Sequence, residues 1–317
     1  MEAKQPGGGS GMADLAARLT KRLSDANNSK NLVFSPLSIY AVLALLAAGA
    51  GGDTLEEILC VLGARSRREL EAAVARLRDG PLRNRSESGG TSVLFACGVW
   101  SGLMLPLKQA YVDAAVSSYK ADAAAVDFLR APEQVTVQID AWATAATRNL
   151  IRVKWSLPFY KSSTKNRPFY QLDGTAVDVP FMSNYECHYI AEHDGFKVLK
   201  LRYKRSSPPY TSMKFFEITT FPNTSMAVVV EFGVPKFELT FEGSVTDMLK
   251  DLELALPFGE GADLSEMMME GMHVQVQDIF HKAVIEVNEL EEETRATPIA
   301  PPTCSLFRPP VVGFVAD

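Results

Sequence analysis

Residues 274–289 read Val274-Gln275-Val276-Gln277-Asp278-Ile279-Phe280-His281-Lys282-Ala283-Val284-Ile285-Glu286-Val287-Asn288-Glu289. Val274, Val276, Ile279, Ala283, Ile285 and Val287 recur at near-alternate positions, the pattern of a strand with one buried face. The chain turns acidic at Glu289-Leu290-Glu291-Glu292-Glu293 and runs on through Thr294–Val312, with Pro at 298, 301, 302, 309 and 310. Proline cannot donate to a sheet ladder or continue a helix, so this stretch is predicted to lie outside regular structure. Long structureless loops in compact domains are functional or disordered, and both a presented loop and a disordered Pro-rich segment fit.

Ile279–Ala283 with Glu286–Glu289 resembles the strand that enters the reactive-centre loop of serpins, and Phe314-Val315-Ala316-Asp317 resembles the motif that follows it. Asn31-Leu32-Val33-Phe34-Ser35-Pro36-Leu37-Ser38-Ile39 is similar to the serpin motif that opens an early buried helix, and Gly49-Ala50-Gly51-Gly52-Asp53-Thr54 follows it. Asn166–Phe169, Val179–Met182 and Val234–Phe237 match further serpin signatures in order. The flavour is that of the plant, serpin-Z-like branch. The resemblance implies an α+β serpin-like fold, with helices packed on a large mixed β-sheet plus smaller sheets. It implies one serpin-like domain over 13–317, with 289–313 as a reactive-centre-like loop. Residues 1–12, polar and Gly-rich, are expected to be a disordered lead-in.

Composition narrows the partners. The 317 residues are 47% apolar, enough for a sizeable core. A net charge of −6 argues against nucleic acid. The longest apolar run, Ile39–Ala50, is too short to span a membrane. The N-terminus lacks the apolar core of a signal peptide, so a cytosolic or nucleocytoplasmic monomer is expected, with an extracellular location possible by family association. Sequons at Asn27, Asn84 and Asn223 are then unused. Cys60, Cys97 and Cys187 sit among apolar neighbours and read as small core residues.

Leu15, Leu19 and Leu23 mark an amphipathic helix over Asp14–Ser24, and Ser35-Pro36 reads as the cap and first turn of a buried one. Helices are predicted over Thr54–Leu62, Arg67–Arg78, Leu107–Ser117 and Pro132–Leu150, and strands over Thr91–Trp100 and Tyr119–Phe128. The last helix resembles the one that lies across the main serpin sheet. After it a serpin runs through a long central strand. Here Asn149-Leu150-Ile151 passes almost at once to Val153-Lys154-Trp155, so that strand is expected to be absent. Ser206–Val230 matches the family poorly, and the two apolar strands that follow the Phe-Val-Ala-Asp motif in serpins are not in this sequence. Internal and C-terminal deletions are therefore expected. Each uncovers strand edges and apolar faces.

The resemblance also implies a mechanism to test against the residues. A serpin offers its loop as bait, and after cleavage the loop's proximal part inserts as a central strand and distorts the acyl-enzyme. Insertion buries alternate side chains, so the family carries Gly, Thr and a run of Ala in the hinge. The corresponding residues here are Glu289, Leu290, Glu291, Glu292, Glu293, Thr294, Arg295, Ala296, Thr297 and Pro298. Glu291 stands at the glycine position and Glu292 at a position that becomes buried. An unpaired carboxylate there costs several kcal/mol. Arg295 lengthens a short position, and Pro298 removes a ladder bond. The candidate bait bond is Thr303–Cys304, with Phe307 and Arg308 as weaker candidates, since Pro309 follows Arg308.

The expected function is that of a non-inhibitory serpin homologue which a serine or cysteine protease meets as a substrate. The alternatives are a serpin-type inhibitor of serine endopeptidases and a product without function. No catalytic constellation, metal spacing or cofactor motif is legible: His188, His193, His273 and His281 are scattered, and Gly49–Gly52 lacks the Lys of a phosphate loop. His281 reads as a satisfied, half-buried histidine. Lys200, Arg202, Lys204 and Arg205 read as a solvated basic face, and Met267–Met269 as core or loop filler.

Overall fold

Ser35 begins the central helix as its sequence predicts. In the computed structural model its Oγ accepts from the Ser38 backbone N–H, and Pro36 takes the first helical position of α2, Pro36–Gly49. The structure describes residues 10–26, 32–80, 82–83, 96–147, 159–171, 173–184, 187–193, 196–200, 225–289 and 312–315. It divides into two compact units. The first comprises Met1–Arg83, Leu94–Asn149 and Leu239–Val284, and the second Asn84–Val93, Leu150–Glu238 and Ile285–Asp317.

The first unit is built round α2. This helix is apolar on all sides and buries Ile39, Tyr40, Leu43, Leu45 and Leu46. Around it pack α1 (Ser10–Ala26) through Leu15 and Leu19, α3 (Gly52–Leu62) through Ile58 and Leu62, and α4 (Arg67–Asp79) through Leu70 and Val74. Each fully buried Leu or Ile contributes about 2 kcal/mol, so this cluster dominates the unit's stability. Ser66 caps α4 by accepting from Glu69 N, and Glu69 returns a bond to Arg65 N. β1 (Gly98–Gly102) pairs in parallel with β2 (Asp122–Val126). Between them lie α5 (Gln109–Ala114) and a π-helical turn, Ala115–Tyr119.

The helix α6, Pro132–Thr147, docks beside β1 and β2 through tryptophan. Trp142 meets Trp100 edge to face at 4.7 Å, and its Nε1 donates to Asp122 Oδ2. The strands β8 (Phe237–Ser244) and β9 (Phe280–Val287) form a second pair, tied by a 2.7 Å ion pair between Lys282 and Glu242. Between them comes the short helix α7, Thr246–Asp251.

Three expectations are corrected here. Helix α1 starts at Ser10, so Ser10–Met12 belong to it and not to a disordered lead-in. A Cβ on Gly11 would lie 2.4 Å from the Leu62 carbonyl oxygen, and only glycine permits that approach; Met12 packs on the core. Cys60 is exposed, because the buried face of α3 carries Thr54, Ile58, Val61 and Leu62 and leaves residue 60 on the far side. The strand begins at Phe280 and not at Val274. Met272, Val274 and Val276 still pack on the core, but Val276 N donates to Pro257 O rather than to a ladder.

The second unit is a six-stranded sheet. β3 (Lys165–Tyr170), β4 (Ala176–Met182), β7 (Ser225–Pro235), β5 (Cys187–His193) and β6 (Phe196–Lys200) follow in that order, and β10 (Val312–Val315) also pairs with β7. Phe159, Phe181 and Met182 are its buried large side chains.

Candidate functional site

Segment 290–311 has a described anchor at each end, both in the second unit; Val312 and Gly313, expected in the reactive-centre-like loop 289–313, belong instead to β10. The proximal anchor is Glu289, whose side chain is only 4% exposed. Lys236 Nζ lies 2.6 Å from Glu289 Oε2, and Thr164 Oγ1 donates to Oε1 at 2.6 Å. Both partners have fixed backbones. Lys236 sits at the turn from β7 to β8 and donates its N–H to Pro180 O, while Thr164 precedes β3 and donates its N–H to Lys161 O. Burial pushes the Glu289 carboxyl upward, but the Lys236 and Thr164 hydrogen bonds outweigh it and hold the group below its ordinary range.

The distal anchor is β10. It runs parallel to β7, with Val312 opposite Val229, Phe314 opposite Phe232 and Val315 opposite Gly233. A Cβ on Gly233 would come within 3.2 Å of the Phe181 ring and 3.4 Å of Arg167 Nη1, so a larger residue would crowd the strand at this point. The C-terminal half of β7 and the turn after it thus hold both ends of the segment.

Of the hinge residues singled out in the sequence, Glu289 is placed. Leu290, Glu291, Glu292, Glu293, Thr294, Arg295, Ala296, Thr297 and Pro298 lie outside the described residues. So do the bait candidates Thr303, Cys304, Phe307 and Arg308, and Arg202, Lys204 and Arg205 of the basic patch. Sequence reasoning missed Lys236 and Thr164. The signal was available for Lys236: the Val-Pro-Lys-Phe motif carries one cation, and Glu289 is the acid at the end of the loop-entering strand.

His281 is 6% exposed on β9. Its Nε2 accepts the Ser35 backbone N–H at 3.1 Å, its ring lies 5.8 Å from Phe241, and burial pushes its pKa down to about 4. It is the satisfied histidine the sequence predicts. Met267 and Met268 are core residues, and Met269 is exposed.

Among the described residues β1–β2 and β8–β9 stand as separate two-stranded sheets, with no ladder joining them. Also among the described residues, no group of three His, Cys, Asp or Glu could hold a metal ion, and no helix is long and apolar enough to cross a membrane.

Comparison with known proteins decides the family. The profile described as Serpin (serine protease inhibitor) matches residues 10–153 and 152–317. The chain belongs to the serpin family. Serpin-Z2A of Oryza sativa subsp. japonica is 35% identical over 367 residues, covering 90% of this chain and 87% of the relative. Serpin-Z10 of Arabidopsis thaliana is 34% identical over 352 residues, covering 96% and 90%. In structure, Arabidopsis AtSerpin1 in its native stressed conformation superposes with TM-score 0.81 at 28% identity, over 96% of this chain and 90% of that one. Human thyroxine-binding globulin in complex with thyroxine gives 0.74 at 20% identity, over 96% and 91%, and shows the fold alone. A serpin of 317 residues cannot fill 367 aligned positions, so the alignment opens internal gaps in it. The two profile matches meet at residues 152–153.

Proposed function

We propose that this serpin is a non-inhibitory member which proteases cleave between residues 290 and 311 without being trapped. It works as one monomeric serpin-like domain that begins with α1 at Ser10. The observation that carries this reading is that, among the described residues, β1–β2 and β8–β9 form separate two-stranded sheets. An inserting strand must find two paired neighbours, and unpaired buried backbone groups cost free energy comparable to lost hydrogen bonds. Glu291, Glu292, Arg295 and Pro298 act in the same direction, since each buries charge or removes a ladder bond. Trapping needs insertion to outrun deacylation, and slow insertion releases the protease with a cleaved serpin.

Incubation with trypsin, chymotrypsin and a papain-like protease, followed by a denaturing gel, tests this. Clean cleavage within 290–311 is expected. A band at the summed mass of serpin and protease overturns the reading.

The second reading, a working inhibitor of serine endopeptidases, draws on the two anchors. Glu289 clasped by Lys236 and Thr164, with β10 on β7, is a mounting suited to presenting bait. The same gel separates it from the first.

A further inference from the structure

We propose that the two loops leaving β1 and β2 form a docking surface for an anionic phospholipid bilayer. The first loop reads Leu103-Met104-Leu105-Pro106, four consecutive apolar residues that are all exposed. The second offers Phe128 and Leu129, also exposed. Exposure peaks at the tips, reaching 77% for Met104 and 86% for Leu129. Exposed apolar side chains scattered singly need no explanation. A run of four beside a further pair is what a folded surface avoids unless it serves a contact.

Sheet geometry joins the loops into one patch. Gly102 and Val126 are partners at the ends of their parallel strands, so the two chains leave side by side, about 5 Å apart. Leu103 N donates to Val126 O at 2.9 Å and extends the pairing by one bond. Each tip is then folded back on itself. Leu105 N donates to Gly102 O, Phe128 N to Val126 O, and Arg130 N to the Asp127 carboxylate. The apolar side chains therefore stand on fixed backbone, and contact does not have to order the loops first.

Shape, residue type and charge favour a bilayer over a protein partner. Tips this exposed project into solvent and do not line a groove. Leucine is under-represented among protein hot spots, whereas Leu and Phe enter a bilayer favourably. Lys108 and Arg130 flank the patch, opposed within the two loops by Asp127, whose carboxylate is turned to Arg130 N. The next acid, Glu133, lies in the first turn of α6. The loops thus form a net positive spot on a chain of net charge −6, which matches lipid phosphate groups. A few inserted side chains without a covalent lipid give reversible binding.

Flotation of the full chain with vesicles of phosphatidylcholine alone, and of phosphatidylcholine mixed with phosphatidylserine, tests this. Binding is expected on the mixed vesicles and to be weaker on phosphatidylcholine alone. Met104→Glu combined with Leu129→Glu is expected to lower the vesicle partition at least roughly tenfold. Tyr170→Glu, at an exposed position on β3, is expected to leave it unchanged. Both replaced tip residues are exposed, so the melting curve of the double variant should match the parent's. Should that variant fail to fold, Leu129→Gln alone is expected to weaken binding measurably. No flotation of the parent overturns the proposal on the unmodified protein. Flotation that survives the tip substitutions overturns it as well, and equal binding to both vesicle types overturns the anionic assignment. If size exclusion shows the parent as a dimer that Met104→Glu with Leu129→Glu dissolves, a second copy occupies the patch and the proposal fails.

Discussion

At the scale of single residues, the loop's entry depends on one buried carboxylate. Glu289 is held by an ammonium and a hydroxyl, and removing the ammonium leaves a buried charge with one partner. Lys236→Met is expected to cost about 1–2 kcal/mol at neutral pH, at the lower end for a buried pair because Lys236 is one-third exposed. The sign with pH follows from the lowered carboxyl. Its stabilisation is full above the ordinary glutamate value of 4.5 and is lost as pH falls through the lower folded value. Urea midpoints of the parent and Lys236→Met should therefore differ most near neutrality and converge in acid. A constant difference at every pH would mean that the lysine acts only through its aliphatic stem. Residue-level reading from the sequence worked for His281, whose apolar neighbours on a half-buried strand leave one polar solution. It failed for Cys60, because linear neighbours do not report a helical face.

At the scale of elements, α2 sets the packing, and Gly49 shows how tightly. A Cβ there would lie 2.5 Å from Met267 Cε, 2.6 Å from Met267 Cβ and 2.9 Å from the Tyr111 ring. Two effects oppose each other in Gly49→Ala. Helix propensity favours alanine by roughly 1 kcal/mol. Overpacking a core of this density costs typically 1–3 kcal/mol, and the Met267 Cβ is close to the backbone and cannot swing away. Overpacking is expected to win, so chemical denaturation should show a net loss of about 1–2 kcal/mol. A stabilised variant would show that the Met267 segment yields freely. Helices were legible in this sequence because caps and periodicity are local, as Ser35, Ser66 and Leu15-Leu19-Leu23 demonstrate. The strand start at Phe280 was not. Alternation reports which side chains face the core, and Val274 and Val276 do pack on it, but a ladder needs a partner that the local pattern does not encode.

At the scale of the whole molecule, the question is whether the fold can still lower its free energy by taking up a strand. Intact inhibitory serpins resemble loaded springs: cleavage of the loop lets it insert, and the product is the more stable form. The expected break after Leu150 rests only on ordered motifs on either side, which fix where a strand should be. Among the described residues β1–β2 and β8–β9 share no ladder, so an entering segment has no preformed sheet of four strands to extend. That segment also carries Glu291, Glu292, Arg295 and Pro298, each of which costs free energy on burial or pairing. These costs oppose insertion, so insertion is not expected. Calorimetry before and after nicking within Thr294–Arg308 should show Tm unchanged or lower. Replacing Glu291→Gly, Glu292→Thr, Arg295→Ala and Pro298→Thr together should not restore a rise, because the hinge is then permissive but β1–β2 and β8–β9, unjoined among the described residues, are unchanged. A clear rise in Tm after nicking the unmodified protein would establish that the strands close round the loop after all, and a trap could then operate.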